Sequence, residues 1–334
     1  MIQRLSHELA QRFIAAAEAG ESLSIGSERD RVNYWLPEQI NAEEWLCLIG
    51  FDELDDDAAE VLARHRGRLT LSKLTSLSDW SAEALSRHQG SALELDGLTV
   101  LSDPAAKSLS KYQGFLSLNG ILALTDLGAA ALAEREVGLS LDGLTTLSDT
   151  PKHLALTGML AARERSSRNC FKNLTHISEA AAEILVDLPD ILILDSLHLT
   201  EPLGTILAKH AHGLQFGHPP SITAGVARAL AKCEGYLALD VGPCLSPSVA
   251  MELINHRAVM WMSGLHCLSD STSNILAEHE GSLWLCCFTL TEISESAART
   301  LARHKGPLSL IYIDSLPASV AAILRPHAQI ADDD

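Results

Sequence analysis

The sequence predicts an α/β solenoid built from repeated units of strand, turn and helix. The segment 69–90, LTLSKLTSLSDWSAEALSRHQG, recurs at 93–114 as LELDGLTVLSDPAAKSLSKYQG, with the same residue types at the same positions, and such an internal period is typical of a solenoid. Apolar residues make up 47% of the chain and aromatic residues only 4%, which favours repeated aliphatic layers in the core. One unit buries too little apolar surface to offset the entropy of ordering it, so the units have to stack.

The order of residue types within one unit predicts its local structure. Leu69 and Leu71 flank a polar residue, which is the alternation of a short strand. Ser78 and Asp79 then end the apolar run and offer side chains that accept hydrogen bonds from the free amides of a new helix. Gly90 ends that helix, because glycine tolerates the positive φ of a helix stop. Eight coils are expected to keep this cap, at Ser78, Ser102, Thr125, Ser148, Ser178, Ser246, Ser269 and Ser294.

Residues 1–20 are predicted to form a helical cap at the amino-terminal end of the stack. Positions 5–19 have the pattern of an amphipathic helix, and a helix placed before the first strand covers apolar surface that the first coil leaves open. The first strand is expected at 23–25, in an atypical coil with larger side chains. These are Tyr34, Trp35, Pro37 and Trp45.

The solenoid is predicted to occupy residues 21–327 with about 13 coils, followed by an acidic tail at 328–334 and no second cap. An irregular insertion near 150–168 is expected to loop off the stack; it brings together Lys152, Arg163, Arg165 and Arg168. Each strand is marked by its first core residue. The markers are Leu23, Leu46, Leu69, Leu93, Leu116, Leu139, Asn169, Leu192, Leu214, Leu237, Val259, Leu283 and Leu308.

Charge and composition exclude several classes of function. The net charge of -18 disfavours binding to nucleic acid or to an anionic membrane surface and favours a basic partner. The chain has neither the apolar core of a secretory signal nor a run of 18 apolar residues, so a cytoplasmic location without membrane contact is predicted. The seven cysteines form no CxxC pair and are interpreted as free thiols.

The pattern LxLxxLTxLSDxxAxxL resembles the leucine-rich repeat of the bacterial type over about residues 23–324. The chain departs from the usual repeat because leucine replaces the turn asparagine, at Leu74, Leu98, Leu144 and Leu265. The resemblance implies a right-handed horseshoe with a parallel sheet on its concave side and short helices on its convex side. It also implies a protein that binds other proteins.

Recognition is expected on the concave sheet, at positions that alternate with the core leucines. Acidic and polar residues of the middle coils form one candidate zone, which suits a basic partner. An alternative for Asp96 and Asp142 is turn formation, since glycine follows each of them. The residues of this zone are Glu94, Asp96, Asn119, Asp142, Asp195 and Asp240.

The last coils form a second, apolar candidate zone. Its predicted partner-binding residues are Met260, Met262, Trp284, Cys286 and Ile311, because methionine adapts to a partner surface and tryptophan is favoured at hot spots. Two alternatives stay open. The carboxyl-terminal end is covered by its own tail, or the assumed register slips by one residue in a weaker coil.

No catalytic, metal or cofactor site is predicted. Histidine recurs once per coil at the helix end, where a structural role explains it, and no basic residue beside Cys286 and Cys287 lowers a thiol pKa. The predicted function is a non-enzymatic scaffold that binds a protein or peptide on its concave face. The alternative is an assembly subunit that self-associates or docks through its carboxyl-terminal coils.

Overall fold

The computed structural model describes residues 3–19, 45–163, 171–217, 222–327 and 329–331. In these ranges thirteen α-helices alternate with eighteen short strands, and the paired strands run parallel, so the chain is an α/β protein. It divides into two compact units. The first comprises Met1–Thr146 and Thr150–Arg163, and the second comprises Leu147–Asp149 and Glu164–Asp334.

The first unit contains a five-stranded sheet in the order β2-β4-β5-β6-β7 and a pair of strands, β1 and β3. Its strands are β1 (Arg4–Leu5), β2 (Trp45–Cys47), β3 (Glu53–Leu54), β4 (Arg68–Thr70), β5 (Ala92–Glu94), β6 (Phe115–Ser117) and β7 (Leu139–Ser140). Its helices are α1 (His7–Glu18), α2 (Asp56–Leu62), α3 (Asp79–Leu85), α4 (Asp103–Leu109), α5 (Asp126–Ala133) and α6 (Pro151–Arg163). A two-residue strand, β8 (Thr146–Leu147), lies where the chain divides.

The second unit contains a seven-stranded sheet in the order β10-β11-β12-β13-β15-β17-β18 and a pair of strands, β14 and β16. Its strands are β9 (His176–Ile177), β10 (Leu192–Ile193), β11 (Gly213–Phe216), β12 (Tyr236–Asp240), β13 (Val259–Ser263), β14 (Cys267–Leu268), β15 (Ser282–Cys286), β16 (Glu292–Ile293), β17 (Leu308–Ile311) and β18 (Gln329–Ala331). Its helices are α7 (Glu179–Leu185), α8 (Glu201–Leu207), α9 (Ala224–Leu230), α10 (Pro247–Leu253), α11 (Asp270–Ala277), α12 (Glu295–Leu301) and α13 (Ala318–Leu324).

The repeat places equivalent core residues opposite each other in neighbouring strands. In the first unit Leu69 pairs with Leu93 and Leu93 with Leu116, and all three are fully buried. In the second unit the same row runs through the strands as Leu192, Leu214, Leu237, Met260, Leu283 and Leu308. Each strand therefore contributes the same apolar position to a continuous layer, and burying such side chains stabilises the stack by about 2 kcal/mol each.

The predicted helix caps also link neighbouring coils. The Ser78 hydroxyl accepts a hydrogen bond from the Ser81 amide and donates one to Asp56 on the preceding helix. Because a hydroxyl is both donor and acceptor, one serine caps its own helix and ties it to its neighbour. Side-chain caps are present at Ser78, Ser102, Thr125, Ser178, Ser246, Ser269 and Ser294, as predicted, and also at Thr200 and Thr223.

The predicted insertion has more regular structure than expected. Residues Pro151–Arg163 form α6, which packs against α5, so this part does not loop off. The helix is capped by Thr150 and not by the predicted Ser148. The Thr150 hydroxyl accepts a hydrogen bond from the His153 amide at 3.4 Å. Arg165 and Arg168, assigned to the same basic cluster, lie outside the described residues.

Both ends of the chain add structure to the repeat. Helix α1 begins at His7, two residues later than predicted, and packs against α2, while β1 pairs with β3. The strand predicted at 23–25 lies outside the described residues. At the other end, 329–331 form β18 beside β17, within the segment predicted to be a tail. None of the helices in the described ranges combines the length and apolar character needed to cross a membrane.

Candidate functional site

Strands β13 and β15 each carry one large side chain of a patch on the outer sheet face of the second unit, meaning the face opposite the leucine layer. Burial alternates along this strand: Met260 and Met262 are completely buried, whereas Val259, Trp261 and Ser263 are partly exposed. Register places Trp261 between Ala238 and Trp284 on the neighbouring strands. The outer face therefore presents Trp261 and Trp284 side by side.

The predicted orientation of Met260 and Met262 is therefore wrong. Met260 pairs with Leu237 on one side and Leu283 on the other, so Met260, and not Val259, is the core marker of this strand. A shift of one residue exchanges the two faces of a strand. The sequence-based register thus missed Trp261, which occupies the outward position that had been given to Met260.

The two tryptophans form a ring pair. Their centroids are 5.8 Å apart and their planes are tilted by 31°, a separation in the range favoured by aromatic pairs. The indole N–H of Trp284 donates to the Ser282 hydroxyl at 3.2 Å. This bond satisfies the polar atom of Trp284 and leaves its ring as apolar surface.

Two further aromatic side chains follow the ends of the adjacent strands. Phe288 is 66% exposed and Tyr312 is 44% exposed, and their rings meet edge to face at 5.5 Å. Cys286, predicted to face outward, is partly exposed and pairs with Ile311. We refer to Trp261, Trp284, Phe288 and Tyr312 together as the aromatic patch.

Ile311 lies in the outward row but is only 6% exposed, so the prediction of an accessible side chain is wrong. Strand β18 explains this: it pairs with β17 and places Ala331 opposite Ile311. Strand β17 is therefore not a sheet edge. Coverage by the tail, one of the two alternatives drawn from the sequence, applies to this residue.

The Asp195 carboxylate accepts a hydrogen bond from the neighbouring strand, and the Asp240 carboxylate accepts one in the turn after its own strand. The Gln215 amide group donates to Asp195 at 3.4 Å, and the Gly242 amide donates to Asp240 at 3.0 Å. Gly264 has φ +76°, and a methyl group there would lie 1.9 Å from a carboxylate oxygen of Asp240. The Asp240 carboxylate thus occupies the space beside Gly264 that a larger side chain would need, which is a structural role.

Glu94 belongs to the first unit, where it completes a polar network on the outer sheet face. The Thr70 hydroxyl donates to Glu94 at 2.8 Å, and Arg68 forms an ion pair with the same carboxylate. The indole N–H of Trp45 donates to Thr70 at 2.8 Å, and the Arg68 guanidinium lies 4.9 Å from the Trp45 ring centroid. These polar groups satisfy one another.

The acidic row of the first unit also links coil to coil. Asp96 accepts from the Asn119 amide at 3.0 Å and from the Ser117 hydroxyl at 2.6 Å. Asn119 in turn accepts from the Asp142 amide at 3.0 Å and from the Ser140 hydroxyl. These side chains bond the backbone of the next coil, which links coil to coil and is not the local turn bond that was the alternative for Asp96 and Asp142.

Three of the recurring histidines, His88, His210 and His279, are buried and bond backbone carbonyls of the preceding coil. His88 contacts the Gly67 carbonyl at 3.0 Å, and His279 contacts the His256 carbonyl at 2.9 Å. Burial lowers the pKa of both imidazoles to about 4. Among the described residues, no group of three or more His, Cys, Asp or Glu side chains is arranged to hold a metal ion.

The cysteines are not all free thiols, contrary to the prediction. Cys244 and Cys267 form a disulfide between neighbouring coils of the second unit. Their separation of 23 residues matches the repeat and was the signal that could have identified the pair. Cys287 is buried, and desolvation raises the pKa of its thiol to about 12.

Comparison with models of known protein families and with curated proteins gives no match for this chain. The resemblance to leucine-rich repeats therefore stays a prediction from the sequence.

Proposed function

We propose that the chain is a solenoid similar to leucine-rich-repeat proteins and acts as a non-enzymatic scaffold that binds a protein or peptide. The main observation in support of this proposal is the ring pair formed by Trp261 and Trp284. Parallel strands with leucines in register and one capped helix per coil support the solenoid architecture. The aromatic patch supports the binding role.

Recognition of a partner requires surface that gains free energy when it leaves water. Tryptophan and tyrosine supply large area at a small loss of side-chain entropy, which is why they are enriched at hot spots. In the aromatic patch Trp284 has its N–H bonded within the chain, and Phe288 has no polar atom. Covering these rings therefore costs little desolvation of polar groups.

The partner that fits best is an extended or flat protein segment with basic residues. The chain has a net charge of -18, which accelerates association with cationic segments. Lysine or arginine side chains also gain from contact with indole faces. The raised pKa of the Cys287 thiol argues against nucleophilic chemistry at this one residue, since its reactive thiolate is scarce at neutral pH.

Self-association through the carboxyl-terminal coils is the second candidate function. It is favoured by the position of the aromatic patch on β13, β15 and the segments that follow β15 and β17. The same net charge opposes it, because two identical acidic chains repel each other. Sedimentation over a range of protein concentrations separates the two candidates: a monomer with this patch supports a foreign partner.

Peptide selection tests the proposed binding role. The immobilised full chain is used to select binders from a displayed library of random peptides, and their affinity is measured for the Trp261→Ala/Trp284→Ala variant. We expect a loss of about tenfold or more, since truncating a hot-spot tryptophan costs roughly 2 kcal/mol. We also expect basic residues to be enriched in the selected peptides.

Trp80 provides a matched control. It is 57% exposed on α3 of the first unit and is not part of the aromatic patch. Trp80→Ala should leave the affinities unchanged. Equal losses for Trp80→Ala and for the double variant, or peptides that bind the double variant as well as the unaltered chain, would refute the site.

A further inference from the structure

A second feature of the chain lies on the helix side of the first unit. A cleft of about 490 Å³ there is lined by three arginines, Arg64, Arg66 and Arg87, together with Glu60 and Gln89. Arg64 follows the end of α2, Arg87 follows the end of α3, and Arg66 lies in the turn between α2 and β4. All three arginines are exposed. The cleft thus concentrates positive charge on a chain whose net charge is -18.

The three arginines that line the cleft are exposed cations without a carboxylate partner among the described residues. None of the three forms an ion pair there, and neither does Glu60, although acidic residues outnumber basic ones by 43 to 25. Lys107, Lys111 and Arg303 are further exposed cations without an ion pair in this part of the chain, whereas other cations are paired with carboxylates. Such pairs are Arg4–Glu53, Arg68–Glu94, Lys209–Glu183, Arg228–Glu252, Arg257–Glu280, Lys305–Glu278 and Arg325–Asp314.

The second unit has a comparable cleft whose two arginines are paired with carboxylates. That cleft, of about 700 Å³, is lined by Arg228, Lys232 and Arg257 and also by Glu234 and Glu252. Arg228 lies 2.7 Å from Glu252, and Arg257 forms an ion pair with Glu280. The repeat therefore builds the same kind of cleft twice. In the cleft of the second unit both arginines are paired with carboxylates, whereas in the cleft of the first unit the three arginines have no such partner within the described ranges.

Packing of the histidines holds the turns that carry the three arginines. His65 lies between Arg64 and Arg66, and its ring stacks on that of His88 with centroids 6.1 Å apart. His88 follows Arg87 and bonds the Gly67 carbonyl. Because these rings are buried, the two turns are fixed relative to each other. The guanidinium groups consequently start from neighbouring, well-ordered backbone positions.

We propose that this cleft binds a small ligand that carries phosphate groups. A guanidinium presents a planar fork of donors that matches phosphate oxygens and stays charged at any physiological pH. Several such groups with no competing carboxylate partner attract a multiply charged anion more strongly than a single carboxylate. This site shares no residue with the aromatic patch, so the test of one proposal does not decide the other.

Calorimetric titration of the full chain with inorganic pyrophosphate tests the site. At about 50 mM NaCl, where screening is moderate, we expect saturable binding with a Kd below about 1 mM. The variant Arg64→Gln/Arg87→Gln should weaken binding about tenfold, since it removes two of the three guanidinium groups. Circular dichroism is expected to show an unchanged fold, because the altered side chains are exposed.

The matched control is Arg228→Gln/Arg257→Gln, which removes the same charge from the cleft of the second unit. It should leave the affinity for pyrophosphate within about twofold of the unaltered chain. Absence of saturable binding to the unaltered chain would overturn the proposal. Equal weakening by both double variants would also overturn it, because binding would then follow net charge and not the cleft.

Discussion

The outer sheet faces of the two units differ in the side chains that they present. In the first unit the side chains are polar and bond one another, as in the contacts among Trp45, Thr70, Glu94 and Arg68. In the second unit the corresponding strands present Trp261 and Trp284, which pack together and remain partly exposed. Each face rests on a buried layer of aliphatic side chains within its own unit.

This difference separates stability from recognition. Polar groups that satisfy one another within a face have little to gain from a partner, because binding must desolvate them again. Aromatic rings gain free energy whenever another surface covers them. The leucine layer therefore specifies the fold in both units, while the outward positions decide which face is suited to binding.

Truncating Met260 should have the largest effect on stability. Met260→Ala removes a fully buried side chain from the core row of the second unit, so we expect a loss of about 2–5 kcal/mol in the free energy of unfolding. Trp261→Ala, one residue further along, should cost only about 1 kcal/mol, because its side chain lies on the outer face. Urea denaturation of both variants measures the difference. A larger loss for Trp261→Ala would reverse the assigned register.

Reducing the disulfide should weaken the second unit and leave the first unchanged. Cys244 and Cys267 close a loop of one repeat, and constraining such a loop contributes about 3 kcal/mol. Hydrogen exchange with and without dithiothreitol reports the two units separately. Peptides of the second unit should exchange faster after reduction, whereas equal acceleration in both units would contradict this expectation. Reductant should have no effect on the Cys244→Ser/Cys267→Ser variant.

Acid should weaken both units, because each contains a buried histidine. The pKa of His88 and that of His279 are lowered to about 4, whereas an unfolded histidine titrates near about 6.5. The unfolded chain therefore binds more protons between these values. Stability is complete above about pH 6.5 and falls as the pH approaches about 4.

Denaturation at pH 7 and pH 5 measures this effect, for which we expect a loss of roughly 1–3 kcal/mol. The variant His88→Gln/His279→Gln should show a smaller dependence on pH in this range. An unchanged free energy of unfolding between the two pH values would show that these imidazoles are not held neutral.

Local features of the fold were accessible from the sequence. Serine or threonine before an acidic residue marked helix starts such as Ser78 and Ser102 correctly, because capping depends on a few neighbouring residues. Alternation of leucine with polar residues placed β4 and β5 for the same reason. The alternation fails in β13, where valine, methionine and tryptophan are all apolar.

The spacing between the core leucine of a strand and the leucine of the following turn would have given the correct register for β13. Leu69 precedes Leu74 by the same interval at which Leu93 precedes Leu98 and Leu139 precedes Leu144. Met260 precedes Leu265 by that interval, and Val259 does not. The turn leucine was thus the better marker. The burial of Ile311 beside β18 was not predictable in this way, because 329–331 lie beyond the repeat pattern.

The most direct test of the aromatic patch is oxidative footprinting of the native chain, read by mass spectrometry, with and without a selected peptide. Trp261 and Trp284 should be oxidised in the free chain and protected by the peptide. Met260 and Met262 should stay unmodified in both states, while the 60% exposed Met251 and the exposed Trp80 should react equally in both. Rapid oxidation of Met260, or protection of Trp80 in place of Trp261 and Trp284, would contradict the assignment of this face as the binding surface.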